Sequence, residues 1–193
     1  TNLVIPATIE GYPVTVIGNY AFYNCARLKS ITLPDSITSI GSCAFYCCAS
    51  LESMTIPDGV ESIGYSAFGD CSDLVAVTIP DSVTFIGDFL FSKCEKLESV
   101  TVGSGVSEIR DYMFKDCGSL KTVEIKGNIT RIGNQAFYSC LSITNFEIPA
   151  SVTEIDSQAF EHCDLKKITA HKGILNIGRD AFPKYADYNE YRG

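Results

Sequence analysis

Residues 28–50 read LKSITLPDSITSIGSCAFYCCAS, and the same pattern returns every 23 residues down the chain. The next units are LESMTIPDGVESIGYSAFGDCSD, LVAVTIPDSVTFIGDFLFSKCEK, LESVTVGSGVSEIRDYMFKDCGS and LKTVEIKGNITRIGNQAFYSCLS. A 22-residue unit, ITNFEIPASVTEIDSQAFEHCD, follows, then a divergent LKKITAHKGILNIGRDAF. A partial unit ending PVTVIGNYAFYNCAR precedes Leu28. Self-similarity at one fixed period is the signature of a solenoid, whose units bury apolar residues only by stacking on one another.

Each unit opens with Leu, Ile or Val alternating with polar residues, the pattern of a half-buried strand. Pro-Asp pairs (Pro34-Asp35, Pro57-Asp58, Pro80-Asp81) end that strand with turn chemistry. The xVTxIG segment reads as a second short extended piece, its glycine permitting a left-handed turn. The xxAFxxC segment reads as one helical or 3₁₀ turn with Ala, Phe and Cys inward. The expected fold is an α/β repeat solenoid, right-handed, with a parallel sheet on the concave face and short turns or 3₁₀ segments opposite. At ~4.8 Å per strand, about seven strands give a sheet roughly 30–35 Å across. The expected organisation is one domain over 1–193: a partial unit at 1–27, six regular units at 28–164, and a divergent unit with tail at 165–193.

The period also explains the cysteines. Cys25, Cys48, Cys71, Cys94, Cys117, Cys140 and Cys163 recur in step with columns of phenylalanine (Phe22 to Phe160) and isoleucine (Ile17 to Ile155). A residue in register with the core belongs to it, and free Cys packs as a small apolar group. Zinc needs about four ligands converging on one point, whereas a ladder spreads thiols along a line. Disulfides between parallel rungs would need distorted torsions. Reduced, buried thiols are expected. Cys43 and Cys47 lie off the ladder, as two surface thiols or as a local, redox-sensitive pair.

The unit LxxITIPxxVxxIGxxAFxxC resembles the BspA-like, treponemal-type leucine-rich repeat, from about Val4 to Phe182. IPATIEGYPVTVIGNYAFYNC resembles the starting unit of such proteins. The resemblance implies a bacterial or protist protein that is extracellular or on the cell surface. It implies as partner a host matrix or cell-surface protein or a glycan. Pro gives way to Gly103, Lys126 and His171, and the turn glycine to Arg110 and Asp156, so those units should have altered turns. The closing FPKYADYNEYRG reads as a polar cap or a linker.

The net charge of −8 argues against a nucleic-acid binder. No stretch approaches the ~20 apolar residues of a membrane span, so no membrane insertion is expected from this segment. The opening TNLVIPATI, with no initiator Met, reads as a mature form or an excised fragment. His162 and His171 have no recognisable catalytic partners, no phosphate loop or HExxH motif is present, and no unit carries a long insertion. No catalytic residues, cofactor or metal are expected; Asp35, Asp58 and Asp81 supply too few ligands for Ca²⁺.

The expected function is therefore a non-catalytic, adhesin-like interaction module, or alternatively a rigid spacer presenting another domain. The candidate surface is the outward side of the strands. There the residues are small and neutral in the first units (Ser30, Thr32, Ser53, Thr55, Ala76, Thr78, Ser99, Thr101) and charged in the last. The candidate partner-binding residues are Lys121, Thr122, Glu124, Asn145, Glu147, Lys167 and Thr169. A second candidate is aromatic: Tyr20, Tyr23, Tyr46, Tyr65, Phe89, Tyr112 and Tyr138, which either meet a partner or pack between units.

Overall fold

The structure is a computed structural model describing residues 1–184 and 188–189. Its strands form two columns and one hairpin, numbered in chain order. The front column holds β1 (Asn2–Val4), β5 (Ser30–Thr32), β7 (Ser53–Met54), β9 (Ala76–Ile79), β11 (Ser99–Val102), β13 (Thr122–Ile125), β15 (Asn145–Glu147), β17 (Lys167–Thr169) and β19 (Tyr188–Asn189). The flank column holds β4 (Val16–Ile17), β6 (Ser39–Ile40), β8 (Ser62–Ile63), β10 (Phe85–Ile86), β12 (Glu108–Ile109), β14 (Arg131–Ile132), β16 (Glu154–Ile155) and β18 (Asn176–Ile177). A small antiparallel hairpin, β2 (Thr8–Ile9) with β3 (Tyr12–Pro13), precedes the first flank strand.

All pairing within the columns is parallel and in repeat register, as in Ser99↔Thr122 and Glu108↔Arg131. The front ladder is interrupted between β7 and β9 and between β13 and β15, and the flank ladder between β10 and β12. The result is a β-solenoid of about seven turns.

The core follows the period. Phe45, Phe68, Phe91, Phe114, Phe137 and Phe160 are fully buried and stack on one another at 4.9–5.9 Å. Offset parallel rings at these separations are a favourable aromatic arrangement. Phe22 and Phe182 extend the stack at its two ends. The cysteine rungs beside it do more than fill space. Each buried thiol donates to the phenylalanine carbonyl of the preceding unit, as from Cys117 Sγ to Phe91 O at 3.0 Å and Cys140 Sγ to Phe114 O at 3.1 Å. The Phe91 carbonyl also accepts the Cys94 N–H at 3.1 Å, so both lone pairs of a buried acceptor are used.

Three expectations are corrected. First, no helix, α or 3₁₀, occurs among the described residues, so the fold is all-β rather than α/β. The AFxxC segment is instead a chain of overlapping turns. Ala44, Tyr46 and Cys48 donate to carbonyls three residues back (Gly41, Cys43, Phe45), while Cys43, Phe45 and Cys47 donate to Tyr65, Ala67 and Gly69 of the next unit. A 3₁₀ run would keep those N–H groups inside the unit. Turning alternate amides toward the neighbour needs a left-handed residue at the third position of every second turn, as in type II turns. Cys43 (φ 53°) and Cys47 (φ 59°) occupy these positions; the same two columns are left-handed in six other units, and the first of them again at Asp180 in the last.

Second, the repeated glycine is not left-handed. It is selected for close approach: a Cβ at Gly64 or Gly87 would overlap the backbone of Ser42 or Tyr65. Arg110 and Asp156 are accommodated there without altering the turns that follow, since Tyr112 and Gln158 keep φ 59°. Of the proline replacements, Gly103 keeps the turn bond from the Val106 N–H (3.3 Å), whereas the chain after Lys126 only bends at Gly127.

Third, Cys25 is exposed and Phe22 only half-buried, because among the described residues no turn of the solenoid stacks on their outer side. The other six rungs are buried, and all nine thiols are free.

Candidate interaction surface

Strand alternation in the front column turns one side chain of each pair inward and the next outward. The inward set is Ile31, Met54, Val77, Val100, Val123, Phe146 and Ile168, with Phe146 packed against Phe137 and Phe160. The outward set contains the expected residues. Lys121, Thr122, Glu124, Asn145, Glu147, Lys167 and Thr169 are all exposed. Register places Glu124 beside Thr101, Asn145 beside Lys167, and Glu147 beside Thr169. Lys121 Nζ lies 3.0 Å from Glu98 and Thr101 Oγ1 3.4 Å from Glu124, both solvent-facing contacts. Exposed pairs of this kind contribute at most about 1 kcal/mol, leaving their charge available to a partner.

The interruption between β13 and β15 divides these seven residues into two groups. Toward the other end, where β7 and β9 part, the front face has a recess of about 300 Å³ lined by Met54, Thr55, Asp58, Val77, Thr78 and Thr101.

The aromatic candidates are partly consumed by stacking. Tyr23 stacks on Tyr46 at 5.6 Å and Phe89 on Tyr112 at 4.3 Å. Lys115 Nζ sits 4.9 Å from the ring centre of Tyr138 and 5.5 Å from that of Tyr112. Tyr20, Tyr23, Tyr65 and Phe89 remain exposed.

His162 lines a recess of about 150 Å³ with Glu161, Asp180 and Lys184. His162 is exposed and edge-on to Tyr138 at 5.0 Å; His171 Nδ1 accepts the Gly173 N–H at 3.0 Å. Among the described residues no group of His, Cys, Asp and Glu is arranged to hold a metal. Asp81 accepts the Ser104 N–H at 2.8 Å, and that bond holds its carboxyl below the usual value. Cys43 and Cys47 are half-buried at their left-handed positions, and burial pushes both thiols up.

Sequence reasoning missed a charged network on the flank. Arg131 meets Glu108 (2.9 Å), Asp111 (2.6 Å) and Asp156, while Arg110 meets Asp88 (3.0 Å) and Glu108 (2.5 Å). Burial pushes the Glu108 carboxyl up, but its bonds from Arg131 and Arg110 outweigh that and the net shift is downward. The signal was present in Arg110 and Asp156, the two charges standing where other units have glycine. Charges in neighbouring columns of parallel turns meet across units, which a local reading of the turn does not show. Phe85, exposed beside this network, was likewise unmarked.

The family model for the BspA type leucine rich repeat region matches six copies, over residues 1–102 and 61–189. A leucine rich cell surface protein from Faecalibacterium prausnitzii is 30% identical, with a TM-score of 0.68 over 94% of this chain and 66% of that one. A Treponema pallidum leucine rich repeat protein is 28% identical, with a TM-score of 0.63 over 74% of this chain and 77% of that one. A leucine-rich repeat protein from Eubacterium ventriosum is 28% identical, with a TM-score of 0.69 over 86% of this chain and 43% of that one. A search of curated proteins gave no match. The chain thus spans just under two thirds of the Faecalibacterium protein's length. With the repeat unit, the stacked core and the family model in agreement, the chain belongs to the BspA-type leucine-rich-repeat family.

Proposed function

We propose that this chain is a non-catalytic, adhesin-like interaction module that binds a protein or glycan partner outside a bacterial cell. The observation that carries this reading is the row of seven exposed residues, Lys121 to Thr169, held on parallel ladders over a stacked core. A backbone so constrained presents side chains in fixed positions and loses little entropy on binding. The surface location follows the Faecalibacterium relative, which is a cell surface protein. Partners of the host-matrix or cell-surface class belong to this proposal, and no cofactor does. A rigid spacer is the second reading, favoured by the unbroken ring stack from Phe22 to Phe182.

The test is a binding screen of the purified chain against matrix proteins, mucin glycans and whole cells. A Lys121→Ala/Glu124→Ala/Glu147→Ala variant is run alongside. Specific binding lost in the folded variant supports the module and its face. A chain that binds nothing favours the spacer.

A further inference from the structure

The flank ladder is sewn by two backbone bonds at each junction between units. Thr38 N–H donates to Thr15 O and Gly41 N–H to Ile17 O, both at 2.8 Å. The pair recurs at the next two junctions and again at the last three, ending with Leu175 to Thr153 (2.8 Å) and Gly178 to Ile155 (2.7 Å). Between β10 and β12 both bonds are missing: Ser107 N–H does not reach Thr84 O, nor Arg110 N–H Ile86 O. The front strands of the same two units, β9 and β11, stay paired, so the opening is confined to the flank.

What is special at this junction is Arg110 in the glycine column, drawn onto Asp88 and Glu108, with the bulky Phe85 lining the same opening. Asp156 occupies the same column and keeps its bond to Ile132 O (2.9 Å), so a Cβ alone does not part the strands. The opening leaves a recess of about 50 Å³ lined by Thr84, Phe85, Ile86, Ser107, Glu108 and Arg110.

Three features converge here. Two N–H donors and two carbonyl acceptors lack the partners they have elsewhere, which is the complement of an extended peptide main chain. On one rim stand Phe85, 46% exposed, and Tyr65, 48% exposed, edge-to-face at 6.3 Å. Behind the other rim, four carboxylates (Asp88, Glu108, Asp111, Asp156) face only two guanidiniums (Arg110, Arg131). Exposed ring faces beside an excess of negative charge suit a cationic side chain.

We propose that this flank opening docks an extended, basic peptide segment of a partner protein. Its main-chain amides pair with the Ser107 and Arg110 N–H groups and the Thr84 and Ile86 carbonyls. A lysine or arginine lies over Phe85 and Tyr65 toward the acidic cluster. The inference rests on the interaction-module reading but places the contact on a different face, which keeps their failures separable.

The probe is a displayed library of random 12-residue peptides, selected on the whole chain, with recovered peptides measured by fluorescence anisotropy. Variants are Phe85→Ser, which restores the residue of β6 and β8, Arg110→Gly, which restores the glycine column, and the front-face triple variant. Thermal melts confirm that each is folded. The expected result is enrichment of basic sequences whose affinity falls about tenfold or more with Phe85→Ser and Arg110→Gly but not with the front-face variant. Bound peptide should also slow hydrogen exchange at the Ser107 and Arg110 amides. Peptides lost only with the front-face variant would support the module while overturning the flank site. Acidic or neutral sequences, no enrichment, or glycan binding that depends on Phe85 would each overturn the peptide assignment.

Discussion

Truncating one phenylalanine column at two heights tests whether stability here is a nearest-neighbour property. Phe114 is fully buried between Phe91 (5.9 Å) and Phe137 (5.2 Å). Phe114→Ala removes a whole ring from a site bounded by rigid stacked neighbours, which cannot collapse into the void. Loss of transfer free energy plus the cavity predicts about 3–5 kcal/mol. Phe22 has one stacking neighbour, Phe45 at 5.1 Å, and is only half-buried. Phe22→Ala should cost about 1–2 kcal/mol, since only part of the ring leaves water on folding. Urea unfolding followed by far-UV circular dichroism gives both values. The internal variant should also broaden or split the transition, because a weakened interface divides a one-dimensional array into two blocks. Losses equal within ~0.5 kcal/mol would refute the stacking argument.

Cys47→Asn should raise stability by ~0.5–1 kcal/mol, because asparagine tolerates the left-handed conformation that a cysteine must be forced into; a lower melting temperature would contradict the turn assignment. Burial pushes Cys48 and Cys163 up to about 12, and holds Cys71, Cys94, Cys117 and Cys140 well above the ordinary 9.0. These thiols hold their protons longer folded than unfolded. Their stabilisation is therefore complete below pH ~9 and lost as pH rises toward 12, by up to ~1.4 kcal/mol per pH unit for each thiol. Melting temperatures measured across that range should fall, and a flat profile would show the rungs open to solvent. In the folded chain at pH 8, a thiol reagent should modify Cys25, Cys43 and Cys47 and reach all nine only after unfolding. Arg131→Ala takes the shared cation from Asp111 and Asp156 and leaves Glu108 with Arg110 alone, and should cost ~1–3 kcal/mol, less in 1 M NaCl; an effect independent of salt would assign Arg131 a packing role.

The repeat period determined the core by itself. A residue recurring every 23 positions in a stack meets its own equivalents, which places the phenylalanine, isoleucine and cysteine columns inside, except at the first rung, where Phe22 is half-buried and Cys25 exposed. The outward residues of the front strands were legible for the same reason, since alternation alone assigns their side. The backbone of the AFxxC segment was not legible. Three inward residues in five suit a 3₁₀ turn as well as they suit alternating turns, and the choice depends on where each N–H finds its acceptor. Those acceptors belong to the next unit, so only stacking selects the left-handed residues at Cys43 and Cys47. The same holds for the flank. Arg110, Arg131, Glu108 and Asp156 lie up to 48 residues apart in the chain and become one network because parallel turns bring their columns together. Local pattern decides which side a residue faces; what it meets there is decided by the neighbouring turn.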